Sequence, residues 1–87
     1  MFTVYRKAGR GKREKVGEAF PTESAAREWV SFEIEKREAL YWRKWGLCVV
    51  DTVETAGAIT ATYRPAIMLY NPVAEVYTIA GAMGAGA

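Results

Sequence analysis

The chain has 87 residues, a formal net charge of +2, one cysteine and no histidine. This length predicts a single domain whose one small core supplies most of the stability. The missing histidines and the single cysteine exclude histidine-dependent catalytic sites, histidine or thiolate zinc sites and an intrachain disulfide. We therefore expect a binding protein that is not an enzyme and that uses no metal or cofactor.

The N-terminal region predicts two strands joined by a basic turn. Apolar side chains take alternate positions in residues 2–7 and 14–20, which is typical of strands with one buried face. The intervening segment, residues 8–13, contains Gly9 and Gly11 and is expected to form the turn of a hairpin.

A long helix is predicted next. Pro21 ends the second strand, and Thr22 is a residue type that caps helix N-termini. No glycine or proline interrupts residues 23–45, and Gly46 is typical of the position just after a helix. The helix is therefore expected to run from about residue 22 to Trp45.

The helix has one broad apolar face, which we expect to lie against the sheet. At about 100° per residue, its members fall within an arc of roughly 160°. They are Ala26, Trp29, Val30, Ile34, Leu40, Tyr41 and Trp45. Glu33 and Arg37 lie in the same arc, four residues apart, and are expected to pair with each other in solvent.

A second, narrower apolar stripe lies on the other side of the helix. Ala25, Phe32 and Ala39 recur seven residues apart, and Trp42 follows three residues later. One sheet cannot cover both faces of a helix. Either the C-terminal segment folds over Phe32 and Trp42, or these residues and Arg43 contact a second copy of the chain or another protein.

The C-terminal half predicts a second hairpin and a further element. Residues 47–54 and 59–64 are rich in β-branched side chains and flank a turn at residues 55–58. Residues 67–70 could form another strand. Asn71 and Pro72 could start a short helix through Ile79, but the alternation from Val73 to Ile79 favours a strand.

Together these elements predict an α+β fold in the order β-β-α-β-β, with a further C-terminal strand as the favoured extension. The sheet is expected to be antiparallel, with one long helix packed on one face. We assign residues 1–80 to a single domain and expect residues 81–87, which are only glycine, alanine and methionine, to be a flexible tail.

Charge is distributed unevenly along the chain. Residues 1–20 contain six basic and two acidic side chains, a balance of +4, whereas residues 21–87 contain six and eight, a balance of −2. A basic hairpin can contact nucleic-acid phosphates or an acidic protein surface, or it can simply be solvated. The candidate binding residues are Arg6, Lys7, Arg10, Lys12, Arg13 and Lys15.

Other patterns point away from further chemistry. The segment Gly9 to Lys12 lacks the length and the final Lys-Ser/Thr of a phosphate-binding loop. Cys48 lies among apolar residues and is expected to be packed rather than reactive. Neither a signal sequence nor an apolar stretch of about 20 residues is apparent, so we expect a cytoplasmic protein.

Residues 1–40 resemble the arm-type DNA-binding domains of phage integrases. The likeness rests on Phe2 to Tyr5, on the Gly-Arg-Gly-Lys-Arg turn, and on the helix start from Phe20 to Val30. The resemblance implies that a sheet enters the major groove of DNA. A DNA- or RNA-binding module that uses the basic hairpin is therefore one functional hypothesis.

In size and architecture the chain is also similar to small phage-encoded inhibitors of host defence, notably anti-CRISPR proteins. That resemblance implies a non-enzymatic protein that occludes a CRISPR–Cas-like complex, at its protein subunits or its nucleic-acid channel. The favoured hypothesis is a phage-type inhibitor that acts in the host cytoplasm on a protein partner. A homodimer is a further alternative.

Overall fold

The computed structural model describes residues 1–66 and 71–81, which form one helix and five strands. This confirms the predicted α+β class and the order of the elements. Their bounds are β1 (Phe2–Ala8), β2 (Glu14–Phe20), α1 (Glu23–Trp45), β3 (Cys48–Thr55), β4 (Ala58–Pro65) and β5 (Val73–Gly81). Residues 67–70 and 82–87, where a strand and most of the tail were predicted, lie outside the described residues.

The five strands form one sheet in the order β2-β1-β5-β4-β3, and every neighbouring pair is antiparallel. The last strand therefore lies in the centre, between the first and the fourth. This confirms a strand rather than a helix over residues 73–79. It also means that residues 73–81 cannot cover Phe32 and Trp42, because β5 is held within the sheet on both sides.

The core lies between α1 and one face of the sheet. Alternate side chains of each strand point toward the helix, as the pleat requires. The buried apolar residues of the central strands are Val4, Ile59, Ala61, Tyr63, Tyr77 and Ile79. They pack with the buried helix residues Ala26, Val30, Ile34 and Tyr41. No second helix covers the opposite face of the sheet within the described residues.

Both helix ends follow the expected capping chemistry. Thr22 Oγ1 accepts a hydrogen bond of 3.1 Å from the Ala25 N–H, which satisfies one free donor of the first turn. Gly46 takes a left-handed conformation with φ 79°, and its N–H donates to the Trp42 carbonyl at 2.7 Å. These local interactions explain why the helix ends could be predicted closely.

Strand β2 departs from regular pairing. Phe2 lies opposite Phe20 while Val4 lies opposite Val16, so β2 contains two extra residues across this step. Gly17, inside the irregular stretch, has φ 69°, and an added Cβ atom would lie 2.9 Å from the Trp29 indole. The irregularity and the missing side chain let Trp29 pack directly on the backbone of β2.

The predicted sheet-facing arc of α1 is too broad at one margin. Leu40 was expected in the core, but 52% of its surface is exposed. It lies about 100° around the helix from Tyr41, beyond the part that the sheet covers. Trp29 and Trp45 are half-buried and pack against the core, as expected.

Candidate interaction surfaces

A charged cluster lies inside the core and is not a binding surface. Glu75 of β5 is completely buried. Its carboxylate accepts hydrogen bonds from Arg37 Nε at 3.1 Å and from the Tyr41 hydroxyl at 2.9 Å. Arg37 also donates to Glu75 through Nη2. The expected pairing of Arg37 with Glu33 is thus replaced by a contact between the helix and the sheet.

These contacts set the ionisation of the pair. Burial raises the pKa of Glu75, but the hydrogen bonds from Arg37 and Tyr41 outweigh it and hold that pKa below its ordinary value. The hydrogen bond to Glu75 likewise raises the pKa of Arg37. Both groups are therefore charged at neutral pH, and the cluster acts as a structural ion pair under the helix.

Two tyrosines next to this cluster have buried hydroxyls. Tyr63 and Tyr77 are fully buried, and within the described residues their hydroxyls make no hydrogen bond of standard geometry. Burial raises the pKa of both phenols, and the negative charge of Glu75 raises it further.

Sequence reasoning found the strand that contains Glu75, but it did not recognise this carboxylate as a core residue.

The six basic residues of the hairpin fall into two groups. One of them faces the helix side of the sheet and forms an ion pair, and the other five form no ion pair with a described residue. Arg6 points to the helix side of the sheet, is only 19% exposed, and pairs with Glu14 at 2.9 Å. In the described part of the chain the other five make no ion pair with a carboxylate. They are Lys7, Arg10, Lys12, Arg13 and Lys15, and we refer to them as the basic patch.

The basic patch is organised around Tyr5. The neighbour of Tyr5 in β1, Val4, points into the core, so Tyr5 and Lys7 lie on the uncovered face of the sheet. Lys15 lies directly opposite Tyr5 in β2. The Arg13 guanidinium is 4.2 Å from the centre of the Tyr5 ring, a cation–π contact that holds one cation in place. Arg10 lies in the turn that joins β1 and β2.

The outer face of α1 carries the largest exposed apolar groups of the helix. Phe32 is 57% exposed and Trp42 is 52% exposed, as is Leu40. Arg43 is exposed and has no ion pair among the described residues. A shallow pocket of about 280 Å³ lies between Lys36, Ala39, Leu40 and Arg43. We refer to Phe32, Leu40, Trp42 and Arg43 as the helix surface.

The residues of the helix surface are spread around the helix and do not form one stripe along it. Phe32 lies almost opposite the buried face, while Leu40 and Trp42 lie about 80° to either side of it. Leu40 is on the side of β2, and Trp42 shares the side of Glu38, which faces β3. A partner that contacts all three must therefore wrap around the exposed half of the helix.

Other site types find little support. Among the described residues there is no group of three or more acidic or cysteine side chains that could hold a metal ion. No helix in the described ranges is long and apolar enough to cross a membrane. Cys48 is buried, and burial together with the charge of Glu38 raises the pKa of its thiol.

Comparisons with known proteins give no family for the chain. No family model matches it. Neither a curated protein nor a solved structure is significantly similar to it. The basic patch, the helix surface and the remaining features of the fold are therefore the basis for assigning a function.

Proposed function

We propose that the protein is a non-enzymatic binding module that acts on a protein partner through the helix surface. The observation that carries this proposal is the exposure of Phe32, Leu40 and Trp42 on one element, beside Arg43, which forms no ion pair with a described residue. Large exposed apolar side chains are typical of contact surfaces, and tryptophan and arginine are enriched among the residues that dominate binding energy.

The basic patch supports a partner that handles nucleic acid. The five cations of the basic patch can contact the phosphates of nucleic acid held by such a partner, and they accelerate association with an acidic protein surface. The similarity in size and architecture to small phage inhibitors suggests the same class of partner. We propose that the protein is a phage-type inhibitor that occludes a CRISPR–Cas-like complex.

Absence of catalysis is part of this proposal and rests on the residue inventory. Without histidine, a base for serine or cysteine chemistry must come from carboxylates, lysine or tyrosine. The fully buried carboxylate among the described residues, Glu75, is paired with Arg37 beneath the helix. This carboxylate is ionised at neutral pH and accepts hydrogen bonds from Arg37 and Tyr41, so it is not placed to exchange a proton with a substrate.

A plaque assay that includes a matched control variant tests the proposal. The protein is expressed in bacteria with an active CRISPR–Cas system, and plaque formation by a targeted phage is counted. We expect wild type and Val49→Ala to restore plaques, and Phe32→Ala/Trp42→Ala to fail although it remains folded. Val49 is a matched control because it is 53% exposed but lies on the opposite face of the sheet.

Binding to a purified effector complex tests the same proposal without the cell. Nuclease-treated complex should be retained on immobilised wild-type protein and lost with the double variant. Equal retention by wild type, by Val49→Ala and by the double variant contradicts a role for the helix surface. A dimer in light scattering that the double variant abolishes would assign this surface to a second copy instead.

Nucleic-acid binding is the second candidate, and the Arg13–Tyr5 contact favours it. This contact fixes a guanidinium beside Lys15 on the uncovered face of the sheet. Affinity for duplex DNA should then fall with salt, with a log–log slope of about −0.9 for each phosphate neutralised. Arg13→Ala/Lys15→Ala should make the slope shallower by about two such contacts. A missing shift of labelled DNA at low salt contradicts this candidate.

A further inference from the structure

Strand β3 leaves one edge of the sheet unpaired. The sheet order ends at β3, whose only strand neighbour within the described residues is β4. All eight residues of β3 are in continuous register with β4, and they include no glycine or proline. Within residues 1–66 and 71–81 no strand pairs with the backbone N–H and C=O groups on the outer edge, so they are suited to pair with another extended segment.

The opposite edge of the sheet is protected in a way that β3 is not. Strand β2 has an irregular register and contains Gly17 in a positive-φ conformation. Irregular pairing bends an edge strand and hinders the addition of another strand. The contrast makes the edge of β3 the one that is suited to strand addition.

A groove runs beside this edge, between β3 and α1. Its volume is about 230 Å³, and its apolar lining comes from Ile34 of the helix with Val50 and Ile59 of the sheet. Alternate side chains of a strand added to β3 would point to the helix side of the sheet and enter this groove. Side chains with long apolar stems are suited to such a lining.

The helix side of the groove is acidic. Glu35 and Glu38 line it, and neither forms an ion pair within the described part of the chain. Glu54 lines it as well, but this carboxylate is paired with Arg27. Glu38 acts on the groove region electrostatically, since its charge contributes to the raised pKa of Cys48 at the start of β3.

We propose that the edge of β3 and the adjoining groove bind an extended basic segment of a partner protein by strand addition. The backbone of the segment pairs with β3, the stems of alternate lysines or arginines cover the apolar lining, and their charged ends reach Glu35 and Glu38. Side chains two residues apart in a strand are separated by about 6.8 Å. Two successive basic side chains thus span the two carboxylates, which differ by about 4.5 Å along the helix axis.

The test uses an octapeptide of alternating lysine and threonine with blocked ends, and it measures binding to the intact protein by fluorescence anisotropy. We expect saturable binding that weakens with salt, and no binding of the peptide in which glutamate replaces lysine. Two further peptides are methylated on the backbone nitrogens of every lysine or of every threonine. In a paired strand the backbone N–H groups of alternate residues face the neighbouring strand, so either the lysine or the threonine N–H groups face β3. The peptide that is methylated on those nitrogens should lose at least about tenfold in affinity, and the other peptide should not.

Protein variants test the charge requirement separately. Glu35→Gln/Glu38→Gln should weaken binding of the lysine peptide by about tenfold or more. Glu18→Gln/Glu33→Gln removes the same total charge away from the groove and should have a much smaller effect. Glu18 is an exposed residue of the opposite edge strand, β2, which makes it suitable for this control.

Three outcomes would overturn the proposal. They are equal binding of both methylated peptides, equal losses in the two double variants, and absence of binding at low salt. The methylated peptides act on the unmodified protein, so this part of the test does not depend on the folding of a variant. Glu35 and Glu38 are neighbours of Phe32 and Trp42 on the helix. The methylated peptides report on the edge of β3 alone, so their comparison can confirm or reject the groove independently of the proposed function.

Discussion

Arg37 of α1 and Glu75 of β5 form the ion pair that joins the helix to the centre of the sheet. The guanidinium donates to Glu75 through both Nε and Nη2, and it donates to the Tyr41 hydroxyl at 2.7 Å. Glu75 is completely buried, whereas 24% of the Arg37 side chain reaches solvent. The pair therefore places a full negative charge inside a small core, and Arg37 is the main cation that balances it, with a smaller electrostatic contribution from Arg6.

Removing only the cation should strongly destabilise the fold. Arg37→Met keeps the long apolar stem but leaves the Glu75 carboxylate buried without its partner. Unpaired charges of this kind cost about 3–5 kcal/mol. Urea unfolding followed by circular dichroism should show a loss of this size in the free energy of unfolding.

Two controls separate charge from packing in that experiment. Arg37→Met/Glu75→Met removes both charges and should recover much of the lost stability, since apolar replacements of buried pairs are often tolerated. Arg64→Met breaks the exposed ion pair with Asp51 and should cost less than about 1 kcal/mol. A double variant less stable than Arg37→Met would contradict the proposed cause.

Acid should weaken the same contact. The pKa of Glu75 is lower in the folded protein than its ordinary value, so folding favours the ionised carboxylate. This contribution is fully present above the unfolded pKa of about 4.3 and is lost as the pH falls through the lower folded pKa. Urea unfolding between pH 7 and pH 2.5 should show the loss, and Glu75→Gln should show a smaller acid dependence than wild type.

The hydroxyls of Tyr41 and Tyr63 should respond differently to deletion. Tyr41→Phe removes a donor to Glu75 and should cost about 1–3 kcal/mol. Tyr63→Phe removes a buried hydroxyl that has no hydrogen bond of standard geometry among the described residues, so stability should be unchanged or slightly higher. Equal losses in both variants, measured by urea unfolding, would show that the Tyr63 hydroxyl is satisfied.

Sequence reasoning succeeded where the decisive interactions are local. The hairpin turn at residues 8–13, the Thr22 cap and the Gly46 helix end each depend on neighbours a few residues away. The alternation around Glu75 likewise predicted a strand. It could not place β5 between β1 and β4, because Val4 pairs with Ile79 and this contact spans most of the chain.

The same limit applies to the candidate surfaces. Phe32, Trp42 and the cations of the turn were recognised because their exposure follows from helix periodicity and charge. Arg37 was assigned to Glu33, its neighbour on the helix, since the sequence gives no sign that Glu75 lies beneath it. The groove beside β3 was missed, because it exists only when the helix and the sheet edge are brought together.

Gly17 should be hard to replace for two separable reasons. Its φ of 69° is unfavourable for other residues, and an added Cβ atom would lie 2.9 Å from the Trp29 ring. Gly9 has φ 55° with no atom within 4 Å of an added Cβ, so Gly9→Ala measures the backbone cost alone. We expect about 1–2 kcal/mol for Gly9→Ala and a larger loss for Gly17→Ala. Equal thermal unfolding of the two variants would mean that Trp29 moves aside freely.

The helix surface should contribute little to folding. Phe32→Ser/Trp42→Ser replaces two half-exposed side chains by a residue of similar helix propensity, so the free energy of unfolding should change by less than about 1 kcal/mol. Ile34→Ala on the buried face of the same helix should instead cost about 2–5 kcal/mol. Chemical denaturation of both variants measures this difference. If the double variant lost as much stability as Ile34→Ala, Phe32 and Trp42 would be covered within the chain and would not be free to bind a partner.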